Sequence, residues 1–444
     1  LVPTGMAMAD SVAVVGLGYV GIPVAIKLAS SGVNVIGVDI DETKVSKLNS
    51  SEYPLRGKEP DIQEMLELVV SNGSFKATSE FQVASEVDFW MICVQTPLFK
   101  DSIEPNLGTL QKALNEIGKN LKRNSTVVIE STIPPGTTEK VAIPILEAKS
   151  GMVAGKDFGV GHCPERVMPG KLLYNLSNYD RVLGAIDSET GSIMIDVYSR
   201  ITKGELRITD IRTAEVVKTF ENTYRDAEIA IANDFAKYCD SIGVDFFEVR
   251  DHVNRVESRN LHLPGGGVGG HCIPKDTWLL AHGSKGVYDP SFLTMARDVN
   301  DSMPGYVFNL CAKSMHHASL DISESVITIL GLSYLEESDD VRNSPSAVLY
   351  QLLVSKGANV RVHDHYADKH PDIEHMTDLE LSLTGSDMMI VMVAHEKYRE
   401  LDLSRIQSIM RNKMVIDARN VFPPQILLEE GFQYSIIGKG SSFN

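Results

Sequence analysis

The chain has 444 residues, enough for about three domains at roughly 150 residues each. Hydrophobic residues make up 43% and charged residues 23%, the balance of a globular protein, which excludes long disorder, collagen and coiled coil. A net charge of −17 repels phosphate backbones, so nucleic acid is not an expected partner; a small anionic ligand needs only a local cluster of Lys, Arg or backbone N–H groups.

No apolar run reaches the ~18 residues of a membrane span. The opening Leu1-Val2-Pro3-Thr4-Gly5-Met6 lacks the basic stretch and apolar core of a signal peptide and reads as a tag remnant, with native sequence expected from Met6 or Met8. Cys93, Cys163, Cys239, Cys272 and Cys311 are widely spaced and form no C-x-x-C pair. A disulfide framework is therefore not expected, and a reducing cytoplasm is the expected compartment. His162-Cys163 and His271-Cys272 have no flanking ligand pairs, so no metal is expected.

In chain order, Ser11–Val15 is a β-branched run of the buried-strand kind, followed by a glycine turn and an apolar helix over Ile22–Ser30. Asn34–Asp39 reads as the second strand, and further strands are expected at Val87–Val94, Thr126–Ile129 and Asp157–Val160, with helices between them. That alternation predicts a mainly parallel sheet with helices on both faces. From Arg212 to about Ser241 the chain lacks Gly and Pro and keeps a helical period, which predicts one helix of roughly 30 residues, a spine or dimer contact. Strands are expected again at Ser325–Leu332, Ala358–Val362, Asp387–Val393, Met414–Ile416 and Tyr434–Ile437. The fold class is therefore α/β: two Rossmann-like doubly wound domains joined by a long central helix and a helical middle domain. The expected divisions are residues 6–205, 206–315 and 316–444.

Gly16-Leu17-Gly18-Tyr19-Val20-Gly21 fits G-x-G-x-x-G between a strand and a helix. The first glycine permits the turn, the second lets a pyrophosphate approach, and the third lets helix and strand pack closely. Asp39, at the end of the second strand, is placed for ribose hydroxyls and would repel a 2′-phosphate, which favours NAD over NADP. Glu130–Thr138 and Gln95-Thr96-Pro97 follow other strands; they are read equally well as ligand contacts or as ordinary turns. Pro264–Asp276 carries five glycines in six residues and ends in Cys272, Lys275 and Asp276. Cys272 is either a thiolate activated by local positive charge or a small buried residue after a flexible loop. Lys218 and Asn222 share a helix face; spacing alone favours a solvated face over an oxyanion-holding pair.

On these residues the chain resembles the nucleotide-sugar 6-dehydrogenases, which include UDP-glucose and GDP-mannose dehydrogenases. The resemblance runs from Val12 to about Gly440 and rests on GLGYVG, ESTIPPGTT, Glu215-x-x-Lys218-x-x-x-Asn222, GVGGHCIPKD, Ser338–Arg342 and Asp417–Asn420. His162–Val167, Glu221–Asp226 and Asn300–Pro304 look closest to the branch acting on UDP-N-acetylhexosamines, such as UDP-N-acetyl-D-mannosamine dehydrogenase.

The resemblance implies a four-electron oxidation of the sugar 6-hydroxyl to a carboxylate with two NAD. It implies Cys272 as nucleophile, Lys218 and Asn222 on the oxyanion, Asp276 and Thr132 positioning water, and Glu165 assisting at the sugar. It assigns Gly16, Gly18, Tyr19, Val20, Gly21, Asp39, Thr96, Thr132, Lys275 and Arg342 to NAD. It assigns Glu165, Arg166, Val167, Lys218, Asn222, Gly269, Tyr334 and Arg419 to the UDP-sugar, with Arg259 reaching in from a second subunit of a homodimer. Two positions depart from it: Leu335 stands where many members carry Lys, and Lys275-Asp276-Thr277 is closer to the glucose branch.

The expectation is a cytoplasmic UDP-N-acetylmannosamine dehydrogenase that supplies a uronate for polysaccharide biosynthesis. UDP-N-acetylglucosamine, UDP-N-acetylgalactosamine and UDP-glucose are the alternative substrates. A catalytically silent nucleotide-sugar binding protein is the rival from another class. A two-electron 2-hydroxy acid or 6-phosphogluconate dehydrogenase would leave the Cys272 loop and the last third unexplained.

Overall fold

The computed structural model describes residues 9–55, 59–167 and 171–442; the opening residues read as a tag remnant lie outside that range. The chain divides into two compact units, one running to Glu221 with Trp278–Asp289, the other formed by Asn222–Thr277 with residues from Pro290 on.

The first unit is built on an eight-stranded sheet: β1 (Ser11–Val15), β2 (Asn34–Val38), β3 (Phe75–Thr78), β4 (Phe89–Ile92), β5 (Thr126–Ile129), β6 (Gly159–His162), β7 (Arg181–Ala185) and β8 (Leu206–Thr209). Its order is β3-β2-β1-β4-β5-β6-β7-β8, parallel throughout except for the antiparallel pair β6/β7. The alternation of strand side chains sets its two layers. Val12 and Val14 pack under the helices Gly21–Ser30 and Ile62–Ser71, while Ala13 and Val15 face the layer that holds Gly108–Asn120. Each fully buried Val, Leu or Ile in these layers contributes roughly 1.5–3 kcal/mol. The strand order reverses at β1, flanked by β2 and β4, so the crevice at their carboxyl ends is the place for a ligand.

The second unit carries β9 (Val326–Leu330), β10 (Asn359–His363), β11 (Met388–Val391), β12 (Met414–Asp417), β13 (Gln433–Ile436) and β14 (Gly440–Ser441). Their order is β10-β9-β11-β12-β13-β14, with only β14 antiparallel. The fold class is thus α/β with two mainly parallel sheets and a helical middle, as expected from the alternation.

The long helix runs Ile211–Ile242, 32 residues. The strand expected at Asp157–Val160 begins two residues later: the Asp157 carboxylate accepts from Val153 N at 3.0 Å and caps the preceding turn. β3, β7 and β8 were not anticipated; they are short, and β8 leaves Arg207 and Ile208 exposed, so no apolar run marks it. Among the described residues no helix is long and apolar enough to cross a membrane.

Candidate active site

In the first unit, the turn after β1 is closed by Gly16 N donating to Val38 O at 2.8 Å, with Gly16 at φ +92°. A Cβ at Gly21 would lie 1.9 Å from Gly16 O, so helix and turn meet without room for a side chain, whereas a Cβ at Gly18 would meet nothing within 4 Å. That opening, beside the helix whose N-cap is Val20, is what a pyrophosphate requires. Tyr19 stands half-exposed at its rim.

Asp39 lies just past β2. Its carboxylate accepts from Leu17 N at 2.8 Å, Asp41 N at 3.0 Å and Lys44 Nζ at 2.8 Å. The turn, the open glycine and the acid together fit NAD.

At the ends of β4 and β5, Thr96 Oγ1 donates to Thr132 O at 2.6 Å and Ser131 Oγ to Val94 O at 2.6 Å, so the two loops are stitched together. Beneath them sits a buried cluster that sequence reasoning missed. Tyr198 OH donates to Glu130 Oε1 at 2.7 Å, and Arg181 lies 3.8 Å from both Glu130 and Cys163 Sγ. A glutamate ending an apolar strand was its only signal.

Glu215, on the first turns of the long helix, accepts from the backbone N–H groups of Gly136 and Thr138 and is itself buried. Lys218 follows three residues later and is 7% exposed. The solvated helix face favoured by spacing alone is therefore corrected: the PPGTT loop packs over that face. Glu165 folds back to accept from Val167 N at 2.6 Å. Arg166 donates to Asp180 O at 3.0 Å and pairs with Glu221.

In the second unit, Cys272 precedes the helix Ile273–Gly283, and its carbonyl accepts from Lys275 N at 3.1 Å and Asp276 N at 3.0 Å. The thiol therefore sits at a helix N-terminus, where the backbone dipoles favour a thiolate. His271 Nδ1 lies 3.9 Å from the sulfur. Burial, with Lys275 and Arg342 nearby, pushes that imidazole down to about 4, so His271 is neutral near pH 7 and supplies no positive charge. The other four thiols are pushed up by burial, Cys163 to about 11 and Cys311 to about 12. Cys272 is half-buried.

Asp276 is fully buried, and its two oxygens accept from Asn222 Nδ2 and, at 2.9 Å, from Lys275 Nζ. Asn222, one turn beyond Lys218 on the same helix, is thereby oriented by the residue four positions past the thiol.

The glycines of this loop pack closely within the chain. A Cβ at Gly269 would lie 2.6 Å from both Asn343 O and Tyr334 Cβ. Gly270 N donates to Arg342 O at 2.9 Å, and Asn343 Nδ2 donates to Gly270 O at 2.9 Å, which fastens the loop to residues 342–343. Arg342 forks onto Asp340, with Nε at 2.9 Å and NH2 at 2.6 Å. Arg419 pairs with Glu336, and its guanidinium packs against Gly265. Arg259 is exposed, and its guanidinium donates to Ser258 Oγ at 2.8 Å. Leu335, which departs from the resemblance, is 48% exposed. Among the described residues no group of three or more His, Cys, Asp or Glu is arranged to hold a metal.

Three stretches match the UDP-glucose/GDP-mannose dehydrogenase family: its NAD binding domain over residues 10–202, its central domain over 212–302 and its UDP binding domain over 328–424. A UDP-N-acetyl-D-mannosamine dehydrogenase of Pyrococcus horikoshii is 37% identical over 431 residues, 97% of this chain and 99% of the relative. A solved structure of the Pyrococcus horikoshii UDP-D-ManNAc dehydrogenase matches with a TM-score of 0.89 at 36% identity, covering 97% of this chain and 99% of that one. The NDP-N-acetyl-D-galactosaminuronic acid dehydrogenase of Methanosarcina mazei Go1 matches with a TM-score of 0.89 at 36% identity, covering 98% and 96%. With a dinucleotide turn, a thiol at a helix N-terminus and relatives that match nearly the whole chain, the chain belongs to the UDP-glucose/GDP-mannose dehydrogenase family, the NAD-dependent nucleotide-sugar 6-dehydrogenases.

Proposed function

We propose that this protein oxidises the 6-hydroxyl of a UDP-N-acetylhexosamine, first of all UDP-N-acetylmannosamine, to the carboxylate. The observation that carries the chemistry is the hydrogen-bonded trio Asn222–Asp276–Lys275, whose Asp276 lies one turn beyond Cys272. Full-length relatives that act on N-acetylated sugars support the substrate class.

When bound, NAD accepts one hydride in each of the two oxidations. The residues of this chain do the rest. Gly16, Gly18, Gly21, Tyr19, Val20, Asp39, Thr96 and Thr132 hold the cofactor, and the resemblance adds Lys275 and Arg342. The resemblance assigns Asp276 and Thr132 to a water that takes the first hydroxyl proton. The Cys272 sulfur bonds to the aldehyde carbon; Lys218 and Asn222 hold the oxyanion of that thiohemiacetal, and the second oxidation leaves a thioester. Water breaks the carbon–sulfur bond, returning the thiol and releasing the carboxylate. A covalent hold is needed because the second hydride must leave a tetrahedral carbon, and thiolate is a strong nucleophile near neutral pH. Glu165, Arg166, Val167, Gly269, Tyr334 and Arg419 hold the sugar nucleotide.

In this reading residues 6–205 bind NAD, 206–315 carry the thiol and the dimer contact, and 316–444 bind UDP. The second copy covers the exposed stripe of Tyr224, Ile231, Phe235, Tyr238 and Ile242 on the long helix and brings Arg259 to the site. The uronate is made in the cytoplasm for a surface glycan.

The test is NADH yield per sugar with excess NAD and limiting UDP-N-acetylmannosamine, UDP-N-acetylglucosamine, UDP-N-acetylgalactosamine or UDP-glucose. Two NADH per sugar with one N-acetylated substrate supports the reading. One NADH rejects the role of Cys272. Tight sugar binding with no NADH favours a silent binding protein.

A further inference from the structure

Asp226, at the end of the motif Glu221–Asp226, and Asn300, at the start of Asn300–Pro304, have no role in the chemistry above, yet the structure joins them. Asp226, on the part of the long helix that belongs to the second unit, is fully buried. Its Oδ1 accepts from Arg297 NH1 at 2.6 Å and from Asn300 Nδ2 at 2.7 Å, both on the helix Ser291–His317. Asn300 Nδ2 also donates to Asp226 O at 2.8 Å. Arg297 is itself fully buried and lies 2.9 Å from Asp301, so the carboxylate has a desolvated counter-charge.

From this centre two lines of contact reach the segment that carries Cys272. Along one, Asn300 Oδ1 accepts from Asn233 Nδ2 at 2.8 Å, and Asn233 Oδ1 accepts from Gly265 N at 2.9 Å. Gly265 begins the glycine run. Along the other, Thr277 Oγ1 donates to Asp226 Oδ2 at 3.4 Å. Thr277 follows Asp276. Each amide in the first line uses its oxygen toward the loop and its nitrogen toward the carboxylate, so the charge at Asp226 sets the orientation of both. Asn233, Thr277 and Asn300 are buried, and water does not compete for these bonds.

We propose that Asp226 is a positioning residue for Cys272: one carboxylate, relayed by Asn300 and Asn233 to Gly265 and reached directly by Thr277, holds both ends of the segment that carries the nucleophile. The physical need is plain. Five glycines in six residues have more backbone freedom to lose than other residues would. Unless its ends are fixed, the thiol is not held over the N-terminal turn of its helix, and the dipole and Lys275 no longer favour the thiolate. The inference rests on the role proposed above for Cys272.

Asp226→Asn removes the buried one of the two carboxylates that pair with Arg297 and threatens folding itself. The test therefore uses Asn233→Ala, which cuts the link to Gly265, and Thr277→Val, which keeps volume and releases the other end. Thermal unfolding first establishes that each full-length variant is folded. Alkylation of Cys272 by iodoacetamide is then followed across pH by peptide mass spectrometry, with Cys93 as the internal reference. The expected result is an upward shift of about one pH unit in the Cys272 midpoint, which lowers its alkylation rate about tenfold at neutral pH while Cys93 is unchanged. Asn233→Ala combined with Asn300→Ala shifts it no further than either alone, because both cut one chain of contacts. A Cys272 profile that overlays the wild type in folded Asn233→Ala and Thr277→Val overturns the proposal. The readout needs no sugar, so a wild-type protein that yields no NADH rejects the proposed reaction separately.

Discussion

Asp39 and Asp364 close the same turn in two different sheets. Asp39 accepts from Leu17 N at 2.8 Å, and Asp364 accepts from Leu332 N at 2.6 Å. In each case a glycine with positive φ, Gly16 or Gly331, donates at 2.8 Å to the last residue of the neighbouring strand, Val38 O or His363 O. The two carboxylates then diverge. Asp364 is fully buried, accepts from Ser333, Tyr366 and Ala367 N–H groups as well, and meets His395 Nε2 at 3.3 Å. Asp39 keeps an edge toward solvent beside Lys44. Of these two matching turns, the one at Asp39 leaves its carboxylate 9% exposed, against 0% for Asp364.

Asp39→Ala accordingly raises KM for NAD about 10- to 100-fold, the loss of a charge-assisted hydrogen bond worth roughly 1.5–3 kcal/mol, and narrows the preference over NADP. Steady-state kinetics with both cofactors measures it. An unchanged preference means that Asp39 does not face the ribose. Asp364→Asn acts on folding instead and lowers the thermal midpoint.

Cys272→Ser abolishes carboxylate formation while leaving the thermal midpoint nearly unchanged, because the side chain is half-buried and the volumes are similar. Product analysis by mass spectrometry decides it: uronate produced at the wild-type rate removes Cys272 from the mechanism.

Three buried imidazoles make the fold acid-sensitive. Burial pushes His162 down to about 3 and His271 and His363 to about 4, against an unfolded value of 6.5. The unfolded chain therefore binds more protons below pH 6.5. Their contribution is fully present above that value and is lost as pH falls toward 4. Denaturant midpoints measured from pH 7.5 to 4.5 are expected to fall, with a shallower slope for His363→Gln. A flat profile contradicts the burial of these rings.

Glu215→Ala leaves the buried N–H groups of Gly136 and Thr138 without acceptors. At about 1–3 kcal/mol for each orphaned group, it destabilises the first unit measurably. Urea denaturation reads the loss. Equal stability for Glu215→Ala and wild type would mean that water replaces the carboxylate.

Much of this protein was legible in one dimension. The strand–glycine–helix–acid sequence at Ser11–Asp39 is local, so the dinucleotide turn followed from spacing alone. The 32-residue helix followed from an uninterrupted period. Lys218 was misread on spacing because a helical period says which residues share a face, not what covers it. The packing of Glu215 against Gly136 and Thr138 supplies that cover.

The sequence by itself determined the strand order's raw material, the glycine turn at Gly16, the acid at Asp39 and the thiol at Cys272, because each depends on neighbours within one turn or one strand. Only the tertiary structure decided that Asn222 meets Asp276 across 54 residues, that Arg297 neutralises Asp226 across 71, and that Asp364 is sealed while Asp39 is not. Those pairings carry no local periodicity. They arise when distant helices bury polar groups together, and a buried polar group must take whatever partner the packing brings within reach.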